Sequence, residues 1–355
     1  MAKKTSTKKV KIALQGGGAH GAYTWGVLDR LLEEKSLEIV GLSGTSAGAL
    51  NAAVLLTGLL EGGRDKAKEN LYQLWRKVNH VSAFSKEDVK PFLSNLPIWS
   101  QLIEMNYTLS RQWMKSISSF YSFSPYEFNP LDINPLRKIV DKLTNFELIN
   151  KPQSPFLWVG TTNVQNGQLK LFSQPELSLD AVMASACLPN LYQAVEIEGV
   201  PYWDGGYTSN PPLIPLVRET VSPDLVLIQI NPFIKCETPR EYEDIQTRLN
   251  EINFNNSLLK ELYHISDLKR VQKALNLSLG DIFLHRIEAE EELGELGLDS
   301  KYDTRWTFLT KLRDIGYQKG EAWLNENLQH IGKKNTLAFE KLIDQDLIRD
   351  AQKNL

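Results

Sequence analysis

From Val10 the chain is apolar for a few positions, "VKIALQ", and then places three glycines in a row before Ala22, Trp25, Leu28 and Leu31 recur every third residue. A short apolar run fits a strand, and recurrence at three residues fits one face of a helix. The pattern therefore predicts strand, tight loop, helix. "LEIVGLSGTSAGALNAAVLL" repeats that order, with a strand near Ile39 to Leu42, a Gly/Ser turn and a helix from about Ala47. Two consecutive units of this kind predict a parallel α/β sheet.

Further along, Arg64 to Val78 has helical spacing, and Pro91 to Phe128 is rich in aromatics, which fit either a packed core or the rim of a greasy ligand site. "FLWVGTTNVQNGQLKLFS" offers two strand-like runs joined at Asn166-Gly167, a dipeptide that favours a tight hairpin because both positions tolerate positive φ. "DLVLIQI" is another strand, ending at Ile230. Beyond Cys236 the chain turns charged, and "REYEDIQTRLNEI", "SLLKELYHISDLKRVQKAL" and "RWTFLTKLRDIGYQKGEAWL" each carry apolar residues at helical spacing. "DIFLHRI" (Asp281 to Ile287) is the exception, a β-like run that can add a strand to the main sheet. The resulting division is a flexible basic tail over 1–9, a catalytic domain over 10–235, and a mostly helical extension over 236–355 that packs on it.

Composition narrows the functional classes. A net charge of -3 with 23% charged residues over 355 positions fits neither a nucleic-acid binder nor a disordered chain. Cys187 and Cys236 are far apart and belong to no CxxC or His-rich cluster, so both read as reduced core residues. The N-terminal "MAKKTSTKKVK" has five lysines without the apolar segment of a signal peptide. A cytoplasmic start is the expectation; the lysines are either a solvated tail or a contact for anionic headgroups at about 1 kcal/mol each. "ALNAAVLLTGLL", the longest nearly apolar run, is shorter than the ~20 residues a bilayer requires and fits a buried helix.

Three strings can carry chemistry. "GTSAG", Gly44 to Gly48, has the Gly-x-Ser-x-Gly pattern of a nucleophile elbow at the expected place between strand and helix, although an N-capping serine in a Gly-rich turn has the same look. Ser46 would need a base, because a serine hydroxyl is a poor nucleophile at neutral pH. Gly16, Gly17 and Gly18 follow the first strand as Ser46 follows the second, so in a parallel sheet both loops open at one edge. Their bare N–H groups can then reach an oxyanion formed at Ser46. A phosphate cradle uses the same physics, but "GGGAHG" lacks both the P-loop ending and the dinucleotide spacing. For the base, Asp204 in "YWDGGYTSNPPL" stands beside two space-clearing glycines, where shielding from water would raise its pKa; an ordinary turn aspartate is the alternative. His264 is the competing base, in the order Ser46, Asp204, His264, although it falls on an amphipathic helix.

With "GGGAHG", "GTSAG" and "DGG" in order, the chain resembles the patatin-like phospholipases, serine acyl hydrolases with a Ser-Asp dyad, over about Val10 to Ile230. The resemblance implies a three-layer α/β/α domain with Ser46 as nucleophile, Asp204 as its base and Gly16, Gly17 and Gly18 as oxyanion donors. It further implies fatty-acyl esters of phospholipids or related lipids as substrate and no metal requirement; no other cofactor and, from the charge, no nucleic-acid partner are expected, and peripheral membrane contact would come from the lysine tail or an aromatic rim. His20 stands where the family's loop often has Arg, which makes it a candidate pH-dependent modulator of the loop. The residue pattern alone also leaves open an esterase or thioesterase on soluble substrates using His264, or a non-catalytic lipid- or anion-binding module.

Overall fold

A computed structural model describes residues 7–81, 124–235, 237–276 and 280–337. The two N-terminal units form as their patterning predicts. β1 (Lys8–Leu14) leads through the glycines to α1 (Gly21–Glu33), and β2 (Leu37–Gly44) leads through the serine turn to α2 (Ala47–Val81). The second helix absorbs the expected Arg64 to Val78 helix across a break at Gly62 and Gly63, where Gly63 takes a φ of 74°. Its first half is "AGALNAAVLL", buried as the apolar run implies.

Among the described residues six further strands join the sheet: β3 (Phe156–Asn163), β4 (Leu169–Phe172), β5 (Val195–Ile197), β6 (Val200–Asp204), β7 (Asp224–Ile228) and β8 (Phe283–Ile287). The strand order is β5-β6-β3-β2-β1-β7-β8, with β4 paired to β3. The β2–β3, β1–β2, β1–β7 and β7–β8 pairs are parallel, while β4, β5 and β6 form antiparallel pairs. "DIFLHRI" thus joins the main sheet as β8, at the edge next to β7.

Side chains alternate between the two faces of the sheet, and each face is covered by helices. Ile12, Leu14, Val226 and Ile228 pack into the larger core with α1, α2, α3 (Pro135–Leu143), α4 (Leu179–Ser185) and a late helix. Ala13, Leu225 and Leu227 face the other way, onto α5 (Ile214–Arg218) and α6 (Tyr242–Ala274). The result is a three-layer α/β/α architecture. The two segments "REYEDIQTRLNEI" and "SLLKELYHISDLKRVQKAL" are one continuous helix, α6. The last α-helix among the described residues, α7 (Trp306–Asn327), lies against α1.

The hairpin at Asn166-Gly167 differs from its expectation. Gly167 alone takes positive φ, 68°, and the Asn163 side chain accepts the N–H groups of Gln165 and Asn166. An Asx-type turn therefore replaces the tight two-residue loop. Most of the aromatic segment and Cys236 fall outside the described residues; Cys187 is a buried free thiol whose burial pushes its pKa up to about 12. No helix among the described residues is long and apolar enough to cross a membrane.

The α1–α7 crossing depends on missing side chains. A Cβ at Gly26 would lie 1.8 Å from the Arg313 carbonyl oxygen, and one at Gly316 would lie 2.0 Å from that of Tyr23. Alanine would ordinarily gain up to ~1 kcal/mol over glycine in a helix, but neither backbone can yield without separating the helices. Gly26→Ala and Gly316→Ala are each expected to destabilise by about 2 kcal/mol or more. Together they should cost less than the sum, because one separation relieves both clashes. Urea denaturation of the three variants measures this, and an unchanged midpoint in either single variant would refute the crossing.

Candidate active site

Register decides which residues meet. On β3, Val159 pairs with both Gly44 and Phe172, and Thr161 pairs with both Lys170 and Asp204. A strand residue has only two edges, so β4 occupies one of them and β2 and β6 share the other. β2 arrives in parallel and stops at Gly44; β6 arrives antiparallel and stops at Asp204. The Ser46 turn and the Asp204 turn therefore open toward each other along one edge of β3. On the far side of β2, Leu14 pairs with Gly44, so Gly16 leaves β1 level with Ser46 leaving β2.

The serine turn has the strain of an elbow. Ser46 takes a φ of 55°, a conformation uncommon for any residue with a side chain. Gly48 N–H donates to Thr45 O (2.8 Å), and Thr45 Oγ1 donates to Ser209 O (2.7 Å). Ser46 N–H donates to Ser185 Oγ (3.0 Å), which itself donates to Gly160 O (2.6 Å). α2 begins at Ala47, so its positive end lies beside the Ser46 hydroxyl. Ser46 is 8% exposed.

Gly16 is required by proximity, since a Cβ there would sit 2.5 Å from Thr45 O and 2.7 Å from Ser46 Cβ. Its N–H is already donated to Asn210 Oδ1 (2.7 Å), and its carbonyl accepts from Asn231 Nδ2 (2.8 Å) and Asn210 Nδ2 (3.3 Å). Gly18 has a φ of 60°, and a Cβ on it would meet Lys301 O at 2.3 Å. Among the described residues no acceptor takes the N–H of Gly17 or Gly18. Of the three glycines, then, the second and third have amides to offer, while the first is fastened in place.

Asp204 is fully buried. Its N–H donates to Cys187 O (2.8 Å), and its Oδ1 accepts from Gly206 N–H (2.7 Å). The Ser46 hydroxyl is close enough to act on the carboxylate, yet Oδ2 has no fully formed hydrogen bond. Burial pushes its pKa up to about 7, against smaller downward pulls from the Gly206 amide, the Ser46 hydroxyl and the Lys301 charge. The loop after it is held by α6. Glu261 accepts from Ser209 Oγ (2.6 Å) and from the N–H groups of Leu213 (2.6 Å) and Ile214 (2.8 Å) at the start of α5.

The histidines lie elsewhere or are inert. His264 is exposed on α6, between the buried Leu262 and Ile265, and no contact brings it to Ser46 among the described residues. His285 is buried against Asp224 (2.9 Å) and Thr336 (2.9 Å), inside β8 and short of the strand end at Ile287. His20 does adjoin the glycine loop, but burial, and then the Lys301 charge, hold its pKa down near 3, and its Nε2 is within 2.7 Å of Ser300 Oγ. The expectation of a protonatable modulator is therefore corrected, because a histidine without solvent beside a lysine stays neutral across pH 5 to 8.

Several supporting residues escape a motif search. Gln15 Oε1 accepts from the N–H groups of Ile230 (2.8 Å) and Asn231 (2.8 Å), while its Nε2 donates to Asn255 Oδ1 (2.9 Å). Its signal was a polar residue closing an apolar run. Asn210 and Asn231 each precede a proline, which reads as turn chemistry and hides the side-chain role. Lys301 lies in a charged segment with no signal at all.

The model of the patatin-like phospholipase family matches residues 12–217, more than half of the chain. An uncharacterized protein of Escherichia coli K12, YjjU, is 20% identical over 294 residues, covering 82% of this chain and 72% of its own. Among solved structures, VipD of Legionella pneumophila is similar at a TM-score of 0.40 and 17% identity, covering 90% of this chain and 67% of VipD. ExoU of Pseudomonas aeruginosa, solved in complex with SpcU, has a TM-score of 0.35 and 16% identity; this chain spans 52% of its length. The family match, over the same residues that build the serine turn, the glycine loop and the aspartate turn, means that the chain belongs to the patatin-like phospholipase family.

Proposed function

We propose that the protein hydrolyses fatty-acyl esters of phospholipids or related lipids through a Ser46–Asp204 dyad. The observation that carries this reading is the shared edge of β3, which turns a strained serine toward a fully buried carboxylate with one oxygen free. In this reading Asp204 Oδ2 takes the Ser46 proton as Oγ attacks the ester carbonyl carbon. The carbonyl π-electrons move onto oxygen, and the N–H groups of Gly17 and Gly18 stabilise that oxyanion. Collapse breaks the bond to the alcohol, which leaves with the proton from Asp204. Water, deprotonated by the same carboxylate, then attacks the acyl-serine carbonyl, and collapse breaks the bond to Ser46 Oγ, which takes the proton back from Asp204 as the fatty acid leaves.

Gly16 serves as the anchor of the loop in this proposal and not as a donor, since its N–H is committed to Asn210. A lipid substrate fits the margin of the site. Tyr207 is exposed beside Asp204 and packs on Phe254, and Tyr242, Ile245, Leu249 and Ile252 are exposed along α6 at i, i+3, i+7 and i+10. An apolar stripe of this kind supports peripheral contact with a lipid surface. The exposed position of His264 argues against the triad alternative.

Three expectations test the reading. Ser46→Ala and Asp204→Asn should each lower hydrolysis of mixed phospholipids about 10³-fold or more, read by mass spectrometry of released fatty acid and lysolipid. Substantial turnover by either folded variant would eliminate the dyad, and absence of fluorophosphonate labelling at Ser46 would favour a binding module. Asp204→Asn carries a second, opposite signature. A folded-state pKa raised from 3.8 to about 7 means that the carboxyl's contribution is intact below about pH 4 and is lost as pH rises through 7. The variant should therefore melt higher than the wild type at pH 8 and no higher at pH 4; equal melting temperatures at pH 8 would show that Asp204 is not destabilised by burial. His20→Gln should leave the shape of the pH–activity curve between pH 5 and 8 unchanged, and a flattened curve would restore a charged role for that histidine.

A further inference from the structure

The glycine loop is fastened to a segment almost 300 residues away in sequence. The 3-10 turn Leu298–Tyr302 lies against it, with Ser300 Oγ at 2.7 Å from His20 Nε2 and the Lys301 carbonyl filling the space that a Gly18 side chain would take. Lys301 is half-buried, with its ammonium turned inward onto polar groups. It donates to Asn231 Oδ1 (2.7 Å) and Asn250 Oδ1 (2.7 Å) and lies 5.4 Å from the centre of the Phe254 ring. Asn231 in turn donates its Nδ2–H to the Gly16 carbonyl at 2.8 Å. That carbonyl belongs to the same peptide unit as the Gly17 N–H.

We propose that Lys301 is a positioning residue of the hydrolytic site, acting through Asn231 and the Gly16–Gly17 peptide to polarise the amide that meets the oxyanion, and through space on Asp204. The inference rests on the Ser46–Asp204 reading. A donor on a peptide oxygen pulls electron density from the nitrogen, so the N–H at the other end becomes a stronger donor, and a cation at the head of the chain strengthens each link. The same charge favours the ionised form of Asp204, which is the form that accepts the serine proton. A solvated lysine would do neither, because water would screen it.

The lysine's surroundings make the effect titratable. Burial lowers its pKa to about 8, against upward pulls from Glu251 on α6 and from Asp204. Glu251 is itself paired with Arg248 (3.0 Å), His20 is neutral, and burial with the Asp204 charge holds Tyr207 up near 12. Asp299 and Tyr302 share the lysine's own turn. Asp204 is thus a competent base above about pH 7, and Lys301 is a cation below about pH 8. Both conditions hold together only between those limits.

The test is kcat/KM of the full chain against pH with p-nitrophenyl butyrate, from about pH 5.5 to 9.5, because that ratio reports the free enzyme's groups. Wild type should rise near pH 7 and fall near pH 8. Lys301→Arg, permanently charged, should keep activity and lose the falling limb. Lys301→Met should lower kcat about 10- to 100-fold with KM within about twofold. Its rising limb should move to higher pH and its falling limb disappear. A wild type flat to pH 9.5, or a Lys301→Met enzyme with unshifted limbs and a uniformly lower rate, would overturn the proposal; the wild-type profile decides even if neither variant folds. If Ser46 labels with fluorophosphonate and the ester is cleaved while the falling limb is missing, Lys301 alone is at fault. An unlabelled, inactive wild type overturns the dyad and the lysine's role with it.

Discussion

A carboxylate with no water around it is the constraint on which this site turns. Asp204 has one amide and a nearby hydroxyl where an exposed aspartate would have a full hydration shell. The shortage makes it basic, and it also makes it a liability to the fold, since the charged form is the form that burial disfavours. The surrounding structure is organised to hold that group in place regardless. β6 is locked against β3, the following loop is clamped by Glu261, and Gly206 lets Phe254 close over the turn, where a Cβ would lie 2.3 Å from the ring. Strain at Ser46 is of the same kind, a conformation kept because its neighbours leave no other.

The parts that were legible in the sequence are those in which neighbours in the chain are neighbours in space. β1 with its glycines, β2 with its serine turn, and "DGG" after a short strand are local strings, and periodicity with turn chemistry is enough to see them. β8 was visible for the same reason. What was not legible is the charge state of a residue or the partner of a lone amide. His20 looked like a pH-sensitive group because histidine titrates near neutrality in water, and only the fold shows that it has no water. Asn166-Gly167 looked like a two-residue turn, and the Asn163 side chain, three residues earlier, took over the turn's amides. Gln15, Asn210 and Asn231 join residues about 200 positions apart, a separation at which no spacing rule operates.

In the proposed mechanism, the distribution of work in the site follows from what each group can bear. Oxyanion donors must be rigid and close, and backbone amides on a glycine loop satisfy both needs without side-chain entropy. A cation placed there directly would be a nearby charge competing for the same carboxylate. Placed behind Asn231, the Lys301 ammonium reaches the loop through two hydrogen bonds and reaches Asp204 only through space. On the reading proposed, it therefore favours the ionised form of Asp204 without pairing with it, and leaves Oδ2 open to the Ser46 proton.

This arrangement also bears on where the catalytic unit ends. The family match stops at 217, and the recognisable motifs stop sooner. Yet Asn231, Phe254, Glu261, Ser300 and Lys301 all lie beyond it, and each contacts the glycine loop, the aspartate turn or the residues that hold them. α7 presses on α1, the helix that the glycine loop opens, and β8 extends the sheet beside β7. A segment that merely decorated a finished domain would have no reason to pack a lysine carbonyl against Gly18 and its ammonium against Asn231. On the reading proposed, the C-terminal helices are part of the wall that keeps water from Asp204, and the site is complete only with them in place.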